Sequence, residues 1–265
     1  MVAAGAIPSP RLRVSLAILA ILVGFVISAV VSGLVVEATG WEFGVPSGLG
    51  DDVGRVAGQL AAGVPLDHNR GPLVAQTLLT VPLWLCFLGV PWLYARRKLD
   101  LRRDFGWNMT HQDIVVGLFV GVATQVVVLP LIYAPLRPFI DADALEAPAR
   151  NLVAAADSSI GVVALVVLTI VGAPIAEEFL YRGLLHRGLV DWLSRFGRFG
   201  VLLAVFGSSF VFAASHFQVP QFPGLLVFGI VAATALQISG RLGTALWIHV
   251  GFNATSVIVL LQQLS

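Results

Sequence analysis

Apolar residues run through this chain in long stretches, with charged residues confined to the short breaks between them. Seven stretches stand out, at about 14–36, 73–95, 113–134, 159–181, 201–217, 222–239 and 243–262. Most exceed the ~18 residues that suggest a membrane-spanning helix, and a chain crossing lipid must satisfy its own backbone hydrogen bonds. The pattern therefore predicts an all-α, polytopic integral membrane helical bundle of about seven transmembrane helices, with an eighth as the alternative count. The first stretch follows Arg11 and Arg13 and is longer than a signal-peptide core, so it is taken as a retained span. No internal repeat or low-complexity tract divides the chain. Residues 1–265 form a single membrane domain, with a three-span part over 1–158 and a polar-motif core over 159–262.

The breaks alternate in charge. Arg11 and Arg13 precede the first span, and an acidic loop with Glu42, Asp51, Asp52 and Asp67 follows it. Arg96, Arg97, Lys98, Arg102 and Arg103 come after the second, and Asp141, Asp143, Glu146 and Asp157 after the third. Arg182, Arg187, Arg195 and Arg198 follow the fourth, and Arg241 precedes the last. By the positive-inside rule the amino terminus is cytoplasmic and the carboxyl terminus outside the cell membrane. Residues 50–63 suit a short amphipathic helix on the outer surface. Residues 184–197 suit a helix at the cytoplasmic interface, or a connecting helix packed on the bundle.

Composition agrees with that class. Hydrophobic residues make up 57% of the chain and charged residues 12%, with a mean hydropathy of +0.90. A net charge of +1 without a dense basic cluster excludes nucleic acid as a partner; the lipid bilayer is the obvious one. The lone Cys86 makes neither an internal disulfide nor a multi-cysteine metal site, and is expected to be a small packed hydrophobe.

Ionisable groups at membrane depth are costly, which singles out Glu177, Glu178, Arg182, His216, His249 and Asn253. In PIAEEFLYRGLLH, Glu178 and Arg182 are four residues apart on one helix face and are expected to pair. Glu177 points elsewhere, either free or shared with another helix. Pro174 removes a backbone donor just before the pair, and Gly172, Gly183 and Gly188 allow neighbouring helices to approach closely. FVFAASH puts Phe212 and His216 on one face, and HVGFN does the same for His249 and Asn253. Each is open to a purely structural role, the histidine as a packed residue and the His–Asn pair as a bridge between helices. Together they supply a carboxylate and imidazole to activate water, and donors for an oxyanion. Glu177, His216 and His249 would equally make a His, His, Glu set for a divalent metal such as zinc. A proton or solute path through a transporter or channel uses similar groups. A non-catalytic scaffold or immunity protein of the same fold is a further alternative.

APIAEEFLYRG resembles the EExxxR motif of the CAAX-protease and bacteriocin-processing family, which includes prenyl-protein endoproteases of the Rce1 type. Phe212 to His216 matches its FxxxH motif and His249 to Asn253 its HxxxN motif, in the same order. The resemblance implies an intramembrane endopeptidase with a cytoplasm-facing cavity, acting on a membrane-associated protein or peptide. It makes Glu177 the principal base, acting with His216 on a water, with Glu178 orienting it and Arg182 paired to Glu178. His249 and Asn253 would stabilise the tetrahedral intermediate. The family carries a metalloprotease label, which is the expected one here, and a metal-independent glutamate mechanism is also attributed to it. With neither HExxH nor a paired-cysteine pattern present, the residues alone do not choose, and the reading leans to the metal-free site. The Arg- and Ala-rich composition with a single lysine points to a bacterial source, which favours a small membrane-associated peptide or protein over a prenylated one. The boundaries above put Glu177 near the cytoplasmic end of its span and His216 near the opposite end of its own. For the two to meet, the 184–200 segment must dip into the bilayer or a boundary must move.

Overall fold

The computed structural model describes residues 9–40, 79–95, 100–140, 145 and 158–264. The expected surface helix at 50–63, the start of the second span at 73–78 and most of the 141–157 loop lie outside these residues. The described residues are overwhelmingly helical and contain no strand. Among the described residues six helices are long and apolar enough to cross a membrane, and a seventh, shorter apolar helix accompanies them.

Helix α1, Pro10–Thr39, starts with proline at its first position and ends at Gly40, whose left-handed φ of 67° closes the last turn onto the Val36 carbonyl. Its buried residues, Arg13, Leu16, Ala17, Ala20, Ile21 and Gly24, recur every three or four positions and stop near mid-helix. Beyond them Val26, Val30 and Leu34 are exposed, as lipid-facing residues are. Helix α2, Val81–Ala95, lies along α1, and Cys86 packs against Gly24 as a small hydrophobe. The short α3, Leu101–Phe105, is capped by Asp100, which accepts from the amides of Arg102 and Arg103.

Helix α4, His111–Leu136, opens with a capping box in which Thr110 and Asp113 satisfy each other's backbone amides. It packs most intimately on α8, Leu242–Leu264. A Cβ at Gly117 or Gly121 would run into Trp247 or the Ile248 carbonyl, so these glycines set the closeness of the pair. Between them in the chain come α5, Ser159–Trp192, α6, Gly197–Ala214, and α7, Phe222–Ser239.

Helix α5 corrects the boundary that separated Glu177 from His216. It continues to Trp192, fifteen residues past Glu177, so the glutamates lie mid-helix and not at a membrane end. Of the 184–197 segment, Leu184, Leu185 and His186 are packed into the bundle at 0% to 4% exposure, the second of the two expected arrangements, while Trp192 and Phe196 nearer its end are exposed. Its polar residues find partners: His186 bonds Ser208 of α6 and Gln237 of α7. The expected close approaches occur, with Gly172, Gly183 and Gly188 meeting Trp84, Phe105 and Arg13. Two parts of α5 are wound as π-helix, Val167–Gly172 and Glu178–His186. Such segments adjust a helix around an irregularity, here Pro174 and the paired carboxylates.

Contacts gather the basic residues at one end of the bundle. Arg13 of α1 bonds Asp191 of α5 at 3.1 Å, Arg187 donates to the Arg103 carbonyl, and the Leu242 amide donates to the Gly106 carbonyl. The start of α1, α3, the end of α5 and the start of α8 therefore share a level.

Candidate active site

Three helices deliver the six polar residues. Glu177, Glu178 and Arg182 come from α5, His216 from the turn just after α6, and His249 and Asn253 from α8. His249 lies seven residues into α8, so the cluster sits ~10 Å from the basic end of that helix.

The adjacent glutamates have different surroundings. Glu178 Oε1 lies 2.9 Å from Arg182 Nη1, the ion pair anticipated from their spacing, and both side chains are 1% exposed. The same oxygen accepts from His249 Nδ1 at 2.9 Å. The Arg182 guanidinium rests over Phe212, 4.4 Å from its ring centre, with Phe228 of α7 at 5.6 Å. A desolvated cation over aromatic faces gains about 2 kcal/mol. Glu177 has no such salt bridge. Its Oε2 lies 4.0 Å from His216 Nε2 and also 4.0 Å from His249 Nε2, and its side chain is 16% exposed.

Hydrogen bonding fixes which nitrogen of each ring faces Glu177. A carbonyl and a carboxylate only accept, so His216 Nδ1–H donates to the Phe212 carbonyl at 2.7 Å and His249 Nδ1–H to Glu178. Both rings thereby turn Nε2 toward the same carboxylate oxygen. The position of His216 is secured from α5. Ser215 Oγ donates its one proton to the Phe212 carbonyl, so the Tyr181 hydroxyl must donate to Ser215, at 2.6 Å. Tyr181 is one turn from Glu177 and thus pins the end of α6 where His216 meets it.

Asn253 stands apart from this convergence. Its Nδ2 donates to the Thr169 carbonyl of α5 at 2.8 Å, a bridge between helices. Phe228 had no signal in the sequence, because an apolar residue in an apolar helix looks like any other. It is fully buried and stacks near His249, with ring centres 4.7 Å apart.

The donor chemistry of Glu177, His216 and His249 suits zinc, but their spacing does not. Ligands at about 2.0–2.2 Å from a tetrahedral zinc stand ~3.4 Å apart. Here the carboxylate oxygen is 4.0 Å from each imidazole nitrogen. Among the described residues no trio of His, Cys, Asp or Glu is close enough to hold an ion. The gaps are wide enough for a bridging water, which accepts and donates at about 2.8 Å.

A family model described as type II CAAX prenyl endopeptidase Rce1-like matches residues 159–255. That segment is similar to the Rce1-like family. The match spans α5 to most of α8, and so takes in Glu177, Glu178, Arg182, His216, His249 and Asn253. No curated protein and no solved structure matches the chain. Helices α1, α2 and α4 fall outside the matched segment and pack against it.

Proposed function

We propose that the protein is an intramembrane endopeptidase that cleaves membrane-associated protein or peptide substrates with a water activated by Glu177 and His216. One observation carries this reading: two imidazole Nε2 atoms, each with its Nδ1 proton committed elsewhere, converge on one carboxylate oxygen at 4.0 Å. Such a space holds a water, with one proton toward Glu177 and the other toward His216.

Glu177 takes a proton from this water as its oxygen attacks the scissile carbonyl carbon. The carbonyl π electrons move to oxygen, and the developing charge needs a donor. His249 is that donor. In the proposed step the doubly protonated ring keeps its Nδ1–H on Glu178 and turns Nε2–H to the oxyanion. The oxyanion then re-forms the carbonyl, the C–N bond breaks, and Glu177 returns its proton to the leaving amine. Arg182 compensates Glu178 and touches no reacting atom.

The cytoplasm-facing cavity and the cytoplasmic amino terminus belong to the same proposal. They are supported by the gathering of Arg13, Arg103 and Arg187 at the end of the bundle nearest the site.

The test uses the whole protein in liposomes with a membrane-tethered peptide reporter. Wild-type protein releases the reporter and Glu177→Gln does not. Cleavage that survives Glu177→Gln in a folded protein overturns the assignment. Cleavage that persists after exhaustive chelation supports the metal-free route; loss reversed by zinc alone overturns it.

A further inference from the structure

Asn253 has the residue type and the helix position expected of an oxyanion donor, but its contacts point to another task. The Val167–Gly172 stretch of α5 is π-wound, and at its end the Ala173 amide donates to the Leu168 carbonyl five residues back. In that register the next donor would be residue 174, and its acceptor Thr169. Residue 174 is proline and has no N–H. Ala173 is already spent on Leu168, so the main chain leaves Thr169 O without a donor. A bare carbonyl between helices in a membrane costs about as much as a lost hydrogen bond, and side chains of neighbouring helices commonly fill such gaps. Asn253 Nδ2 fills this one at 2.8 Å.

We infer that Asn253 is a positioning residue: it docks α8 onto the carbonyl that Pro174 exposes in α5, and so sets the height of His249 against Glu177 and Glu178. The consequence follows from helix geometry. Asn253 lies one turn from His249, on the same face, so a fixed Asn253 fixes His249 along the shared axis. His249 must satisfy two distances at once, 2.9 Å to Glu178 and 4.0 Å to Glu177. A slide of about 1 Å spoils both, and a displacement of that size can cost about 100-fold in rate. Pro174 and Asn253 are thus complementary halves of one joint, the first removing a donor from α5 and the second returning it from α8.

This inference rests on the endopeptidase reading for its kinetic arm and is independent of it for its thermal arm. Removing the proline should leave the asparagine little to dock on, because an amide at residue 174 can reach Thr169 in the existing register. In reporter cleavage, N253A is expected to lower kcat about 10- to 100-fold with KM little changed. P174A is expected to lower kcat as well, because its new amide takes the carbonyl that holds Asn253, and P174A/N253A to fall little further than P174A alone. P174S supplies the same N–H and serves where P174A expresses poorly. Thermal unfolding in detergent gives the second reading: N253A should lower Tm in the wild-type background and leave it nearly unchanged in the P174A background. If N253A costs the same factor in kcat with or without Pro174, Asn253 acts on the reacting atoms and the inference falls. Equal Tm losses in both backgrounds overturn it as well. If wild-type protein cleaves nothing, the endopeptidase reading fails while the thermal cycle still decides the joint.

Discussion

Two ionic clusters use the same helix, α8, and treat their charges in opposite ways. At its amino-terminal end Asp113 of α4 is 1% exposed and saturated with donors. Arg241 grips it through Nε at 2.8 Å and through Nη2 at 2.9 Å, Thr110 donates its amide and hydroxyl, and Thr244 donates its hydroxyl. About 10 Å deeper, Glu177 faces two imidazoles across gaps of 4.0 Å. The first cluster is closed and leaves no room for a substrate atom. The second is held open by its own supports: Tyr181 and the Phe212 carbonyl hold His216, and Glu178 holds His249. Buried charge alone therefore does not mark a site. The proposed site differs by the unfilled distance between its well-anchored groups.

The sharpest way to break the contrast is Glu177→Gln. It should reduce reporter cleavage by about 10³-fold while leaving thermal unfolding within a degree or so of wild type, since no short bond is lost. A comparable loss from a substitution at Asp113 would erase the distinction.

Glu178→Ala should behave differently from its neighbour. Arg182 would remain buried at 1% exposure without its paired carboxylate, a loss of about 3–5 kcal/mol in stability. Denaturation in detergent should reveal it as a large drop in Tm together with lost cleavage. A stable but inactive Glu178→Ala protein would mean that the pair does not carry the fold.

Asp113→Asn should cost about 1–3 kcal/mol of stability, because the neutral amide cannot match the bidentate grip of Arg241. Arg241 is 31% exposed and can turn to water, which limits the damage. Cleavage per folded molecule should stay near wild type; a fall in kcat larger than the fall in stability would show that the clasp also aligns the site.

Tyr181→Phe is the mildest. It removes the donor to Ser215 and should lower kcat by about 3- to 10-fold with unchanged KM, as His216 gains freedom. Unchanged kcat would show that the Phe212 carbonyl alone holds the ring.

Much of this arrangement is legible in the chain alone. The apolar runs mark the spans, and the Glu178–Arg182 pairing follows from a four-residue spacing on one helix. The different surroundings of Glu177 and Glu178 follow as well, since adjacent helical residues face different ways. The end of α5 is where local pattern misleads. Arg182 and His186 look like residues leaving the bilayer, and only their partners on α6 and α7 show that they stay inside the bundle. Ending the span at residue 181 displaces Glu177 to a membrane end and creates the apparent mismatch with His216. Phe228 leaves no trace for a similar reason: its role comes from what it touches.

Sequence by itself therefore determined the membrane class, the helices and the identities of the polar residues, because hydropathy and helical spacing are properties of nearby positions. Tertiary structure decided which of those residues meet. It turned both Nε2 atoms toward Glu177 by occupying both Nδ1 protons, and it spent Asn253 on a carbonyl that Pro174 left bare. Those outcomes depend on hydrogen-bond partners more than thirty residues away in most cases, and no local pattern in a single chain encodes them.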